Sequence, residues 1–210
     1  MVKVGIIGVG VMGAGHARFI KEHVPGAEVV GLFDIDAAKM SALADELGTV
    51  KVQTHDVAEL MNHPEVEAII IASPDPLHVA HLRLAIASKK PTLCEKPIAT
   101  TLEDARAIAQ EIRDYESKVG KKMINFGFMR RFDPGYREVR RLIATGEYGA
   151  PLMVRAICRN TDSGNITSTA LTNGGTYFLG MAIVSPNGNF VGGITTTSGT
   201  RESGSSRSSR

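Results

Sequence analysis

The chain has 210 residues, enough for one domain and part of another. It is 43% hydrophobic and 22% charged with a formal net charge of +2, a mild and mixed balance that argues against nucleic acid or an acidic surface as partner. Two cysteines, Cys94 and Cys158, make no disulfide framework, the first residues lack a signal-peptide core, and no apolar stretch nears the roughly 20 residues that span a bilayer, so a reducing cytoplasm is expected.

Residues 2–7, VKVGII, are β-branched and apolar and predict a buried strand. A glycine-rich turn, GVGVMG, leads into a helix, AGHARFIKEH, which Pro25 and Gly26 end. EVVGLF at 28–33 is a second strand. A helix follows with Asp36 as N-cap and Gly48 as C-cap. A short third strand at 50–53, a strongly apolar fourth at 66–73, a helix over 76–90 and a fifth strand, PTLCEK at 91–96, come next. A long helix at 101–120 is capped by Thr101, with Glu103 and Asp104 in its first turn. A sixth strand at 122–129 precedes a helix at about 133–145, with Asp133 and Pro134 at its start. Strands alternating with helices predict an α/β fold, a Rossmann-type doubly wound parallel sheet, occupying residues 1–130.

Residues 131–160 read as the start of a second, α+β domain, with LMVRAICR at 152–159 as its first strand and a boundary between 130 and 150. Residues 161–210 hold nine Gly, nine Ser, nine Thr and four Asn and no Lys. Such a composition buries little apolar surface against its ordering entropy and predicts a poorly ordered tail. Within it, YFLGMAIVS and NFVGGITTT could pair as a weak hairpin.

Gly8, Gly10 and Gly13 form G-x-G-x-x-G between a predicted strand and a predicted helix, the context in which this otherwise weak pattern binds a dinucleotide. Gly8 permits the tight turn, Gly10 lets a pyrophosphate approach and Gly13 lets helix and strand pack; the turn residues Val9, Val11 and Met12 line the same site. Asp34 ends the second strand, 21 residues after Gly13. Its carboxylate suits the two ribose hydroxyls and would repel a 2′-phosphate, and neither Ile35 nor Asp36 could hold one, so NAD is favoured over NADP. The competing reading makes Asp34 a helix-capping turn residue. Ala72, Ser73 and Pro74 end the fourth strand and should border the nicotinamide half. His78 reads equally as a neighbour of the cofactor ribose or as a surface residue. His78 and His81 lack an obvious third ligand, so no metal is expected.

The fifth strand brings Glu95, Lys96 and Pro97 to the same edge, where Glu95 can hold an ammonium or a ribose hydroxyl. A lysine there could assist a substrate hydroxyl's proton, although a lysine after a strand is usually just solvated.

Taken together, GVGVMG, FD at 33–34, ASPDPLH at 72–78, CEKP at 94–97 and MRRFDPGY at 129–136 resemble the Gfo/Idh/MocA family of oxidoreductases, from Met1 to about Asn160. The resemblance implies that Lys96 is the catalytic lysine, that its bond to Pro97 is often cis, and that the protein works with NAD. CEKPIATT, FMRRFDPGY and GEYGAPLMVRAICRN look closest to inositol 2-dehydrogenases, which implies a polyol or sugar substrate, oxidised from a ring hydroxyl to a ketone. Arg130 and Arg131 would then lie near cofactor and substrate; two solvated arginines are the rival reading. Family members are often homo-oligomers.

The family also carries an Asp-x-x-x-His pattern in its second domain, whose histidine completes proton transfer. Here the histidines are 16, 23, 55, 63, 78 and 81, and none follows. The resemblance therefore implies a truncated or frame-shifted member with impaired turnover, against the alternative of a non-catalytic dinucleotide-binding module.

Overall fold

The computed structural model describes residues 1–146, 149 and 151 and the strand segments 177–184 and 190–198. They fall into two units, Met1–Phe128 and Met129–Arg210.

In the first unit six strands form one parallel sheet: β1 (Val2–Ile7), β2 (Ala27–Phe33), β3 (Val52–Thr54), β4 (Ala68–Ile71), β5 (Thr92–Cys94) and β6 (Ile124–Phe126). Their spatial order is β3-β2-β1-β4-β5-β6. The chain winds outward from β1 through β2 to β3, then returns to the other side of β1 with β4. The direction of winding reverses between β1 and β4, where a doubly wound sheet opens a crevice beyond its carboxyl ends.

Both faces are covered, and the strand residues alternate between two cores. Val4, Ile6, Val29, Leu32 and Ile70 pack with α1 (Val11–His23) and α2 (Ala37–Leu47). Ile7, Val30, Ile69, Ile71, Cys94 and Ile124 pack with α3 (Val57–Asn62), α4 (His78–Ser88) and α5 (Leu102–Val119).

Helix ends follow local chemistry. Asp36 caps α2 by accepting from the Lys39 N–H at 3.1 Å, and Gly48 closes it in the left-handed region at φ 73°. Thr101 accepts from Asp104 N–H at 3.1 Å at the start of α5.

Three sequence expectations change. Helix α1 begins at Val11 rather than Ala14, so the second half of the glycine motif is helical. Strands β4, β5 and β6 are shorter than the runs that predicted them, at four, three and three residues. Helix α3 was not anticipated. Its signal is Asp56, which accepts from Ala58 and Glu59 N–H at 2.7 and 3.3 Å, with an acidic residue three positions on.

In the second unit, α6 (Pro134–Thr145) starts at Asp133, which accepts from Gly135 N–H at 2.9 Å. β7 (Tyr177–Val184) and β8 (Phe190–Ser198) pair antiparallel, the hairpin suggested by the sequence. The strand expected at 152–159 lies outside the described residues, as does most of 161–210.

Candidate functional site

The sheet register fixes the site. Thr54, Phe33, Ile7, Ile71, Cys94 and Phe126 stand side by side in one row across six strands. The next residue on each strand is His55, Asp34, Gly8, Ala72, Glu95 and Gly127. Four of these donate their backbone N–H back across the row: Gly8 to Phe33, Ala72 to Ile7, Glu95 to Ile71 and Gly127 to Cys94, at 2.8–2.9 Å. Residues far apart in sequence thus emerge together at one edge.

Gly8 has φ 89°, and a Cβ there would lie 2.7 Å from the Ala72 carbonyl oxygen. Only glycine fits a turn that is both left-handed and pressed against the neighbouring strand end. At Gly13 a Cβ would lie 1.8 Å from the Gly8 oxygen, so helix and turn touch backbone to backbone. Gly10, by contrast, faces open space. It stands at the N-cap of the 13-residue α1, with no side chain satisfying the helix's first N–H groups. A bare helix N-terminus opening onto free space suits a phosphate. Val11 and Ile35 are about nine-tenths exposed and Met12 half exposed.

Asp34 accepts from Val9 N–H at 2.7 Å through one oxygen and from Asp36 N–H at 2.9 Å through the other. It does shape the turn into α2, as the competing reading held, and it also ties β2 to the glycine turn. Each oxygen keeps a second lone pair for a ribose hydroxyl. The His55 ring meets the Asp34 carbonyl at 2.6 Å.

On the other side of the crevice the contacts run between side chains. His78 is 1% exposed, which removes the surface alternative. Its Nε2 faces the Ser73 carbonyl at 2.9 Å and its Nδ1 the Pro97 carbonyl at 2.6 Å, so it clamps the end of β4 to the loop after β5. Ser73 Oγ meets His81 Nδ1 at 2.9 Å. Burial, and then neighbouring His78, lower the His81 pKa below the usual histidine value. Cys94 is fully buried, and burial followed by the adjacent Glu95 pushes its thiol up to about 12, so it is a packing residue and not a nucleophile.

Glu95 is 7% exposed. Its carboxylate sits against Gly127, where a Cβ would come within 2.9 Å of it, and accepts from Lys96 N–H at 3.3 Å. It does not hold the lysine ammonium; its partner is His16 of α1, with Nε2 2.8 Å from Oε1. Sequence reasoning missed His16, which lies 79 residues away. Lys96 itself is exposed, and the Lys96–Pro97 bond is cis.

Arg130 and Arg131 lie in the second unit, in the short 3-10 turn Met129–Arg131. Arg130 pairs with Asp133 at 3.2 Å and stacks over the Tyr136 ring at 5.5 Å, so it is more than a solvated charge. Arg131 is exposed. Among the described residues no cluster of three or more His, Cys, Asp or Glu could hold a metal, and no helix is long and apolar enough to cross a membrane.

The chain is 38% identical over 159 residues to inositol 2-dehydrogenase 3 of Saccharopolyspora erythraea, an alignment covering 76% of this chain and 45% of that protein. It is 38% identical over 173 residues to an inositol 2-dehydrogenase of Klebsiella pneumoniae, covering 81% and 50%. The crystal structure of myo-inositol dehydrogenase from Lactobacillus casei in complex with NAD(H) and myo-inositol superposes with a TM-score of 0.68 at 36% identity, over 79% of this chain and 49% of that one. The chain thus spans about half the length of the relatives it matches. Residues 2–122 match the family described as "Oxidoreductase family, NAD-binding Rossmann fold", and with the glycine turn, Asp34 and the Glu95-Lys96-Pro97 loop on one sheet edge, the chain belongs to the Gfo/Idh/MocA oxidoreductases.

Proposed function

We propose that the chain serves an NAD-dependent dehydrogenase of the inositol 2-dehydrogenase type, which oxidises a ring hydroxyl of a cyclitol or sugar to a ketone. The observation that carries this reading is the shared row: the dinucleotide turn leaves β1 and Lys96 follows β5, two strands away on the same sheet edge. When bound, NAD takes the hydride from the carbinol carbon. The N–H groups of Val11, Met12 and Gly13 at the uncapped start of α1 would hold the pyrophosphate beside open Gly10, with Gly8 and Val9 shaping the turn. Asp34 would accept from the adenine-side ribose, with the exposed Ile35 next to it in the chain available to the same cofactor. Ala72, Ser73 and Pro74 border the nicotinamide half, with Glu95 near its ribose. His78 serves the cofactor indirectly, holding Ser73 and Pro97 in place. Lys96 receives the proton of the reacting hydroxyl at Nζ.

Titration with NADH tests the first half of this reading. Asp34→Ala is expected to weaken binding at least about tenfold, since a charge-assisted pair of hydrogen bonds is lost. NADH formation with myo-inositol tests the second half, with Lys96→Ala as the control that abolishes it. Binding without turnover would leave a dinucleotide-binding module; no binding at all would end both readings.

A further inference from the structure

Glu95 and Lys96 are neighbours in sequence and opposite in charge, yet they do not pair. The Glu95 carboxylate is turned away, to His16 Nε2 at 2.8 Å, with Gly127 closing the space behind it. Among the described residues no carboxylate pairs with the Lys96 ammonium. We propose that His16 is a positioning residue that holds Glu95 off Lys96, so that the lysine at the crevice stays free of an ion pair.

The physical reason is local. A carboxylate beside an ammonium stabilises the charged amine and makes its proton harder to release. A lysine that must exchange a proton with a substrate hydroxyl works best without such a neighbour. Glu95 is nevertheless needed at the strand end, where it accepts from the Lys96 backbone N–H. A second hydrogen-bond donor from outside the loop resolves that conflict, and α1 supplies it. His16 sits on the helix whose first turn carries the glycine motif, so the element that would receive the pyrophosphate also restrains the lysine loop. The usefulness of a free lysine rests on the proposed dehydrogenase reading; the restraint itself does not.

The test reads Lys96 directly in the full chain without cofactor. The chain is acetylated with limiting N-acetoxysuccinimide and the rate at Lys96 is followed by peptide mass spectrometry, with the other lysines as internal standards. In His16→Ala, Glu95 is freed to pair with the ammonium, and the Lys96 rate is expected to fall about threefold or more. His16→Gln, whose amide can donate to Glu95, is expected to restore the rate to within about twofold. In the Glu95→Gln background His16→Ala should have no effect, because no carboxylate remains to swing across. An unchanged rate in His16→Ala, failure of His16→Gln to restore it, or an effect that persists without the Glu95 charge would each overturn the proposal. Should His16→Ala fail to fold, Glu95→Gln alone decides: an unchanged Lys96 rate fits a carboxylate already held away, and an acceleration beyond about threefold means that Glu95 was pairing with Lys96 all along. NADH titration of the same samples reports separately on the proposed function, so loss of either reading is seen without the other.

Discussion

The two sides of the crevice are built by different means. On the β1–β2 side the site is backbone. Gly8 and Gly13 meet main-chain atoms at distances that no side chain could tolerate, and Asp34 is fixed by two backbone N–H groups. On the β4–β5 side it is side chain. His78 spans two carbonyls, Ser73 meets His81, and Glu95 reaches His16 on another element. The backbone side is defined at Gly8 and Gly13 by what is absent, a Cβ, and tolerates no addition there. The side-chain side is defined by what is present, and can be loosened one contact at a time.

The largest expected effect lies on the backbone side. Gly13→Ala puts a Cβ 1.8 Å from the Gly8 oxygen, and should cost about 3 kcal/mol of stability in urea unfolding because turn and helix must separate. Gly10→Ala, in open space, should leave the unfolding midpoint nearly unchanged while weakening NADH binding. If both variants lose stability equally, the glycine turn is not a rigid element. Next comes His78→Leu, which removes the buried ring between the Ser73 and Pro97 carbonyls and leaves at least one of them without its donor, a cost of about 1–3 kcal/mol read from the same unfolding curves. A loss well under that would mean that water replaces the ring and that the side-chain clamp is dispensable.

The smallest effect is a pH slope. The fold holds His81 with a lowered pKa, favouring the neutral ring. Its contribution is therefore complete above the unfolded value near 6.5 and is lost as pH falls through the depressed folded value. Unfolding midpoints should drop between pH 7 and 5, and the drop should be shallower in His81→Asn. An equal slope in that variant would assign the pH dependence elsewhere.

The same contrast explains what could be read from the sequence. Glycines at 8, 10 and 13 are legible because their spacing falls between a strand and a helix, and the apolar runs marked the strands themselves. Asp34 was legible through its distance from Gly13. The partners of Glu95 and His78 were not. A histidine in α1 looks like any half-exposed helix residue, and its contact depends on β5 lying two strands from β1, a fact of topology that no spacing encodes. Burial of His78 was hidden for the same reason, since the carbonyls that hold it belong to residues 73 and 97. Helix α3 went unseen because its six residues are too few to establish a period.

The common row at the carboxyl end of the sheet has one more consequence. A strand advances about 3.3 Å per residue and turns successive side chains to opposite faces. Because six strands stop level, the sheet behaves as a ruler, and each strand length is a setting on it. Deleting one residue within β5 would draw Lys96 back to the mark now held by Glu95, although every chemical group remained. Loops beyond the row can lengthen freely, but insertions inside the strands cannot be absorbed there. Chemistry on this edge is thus free to vary in kind while its position is held by counting.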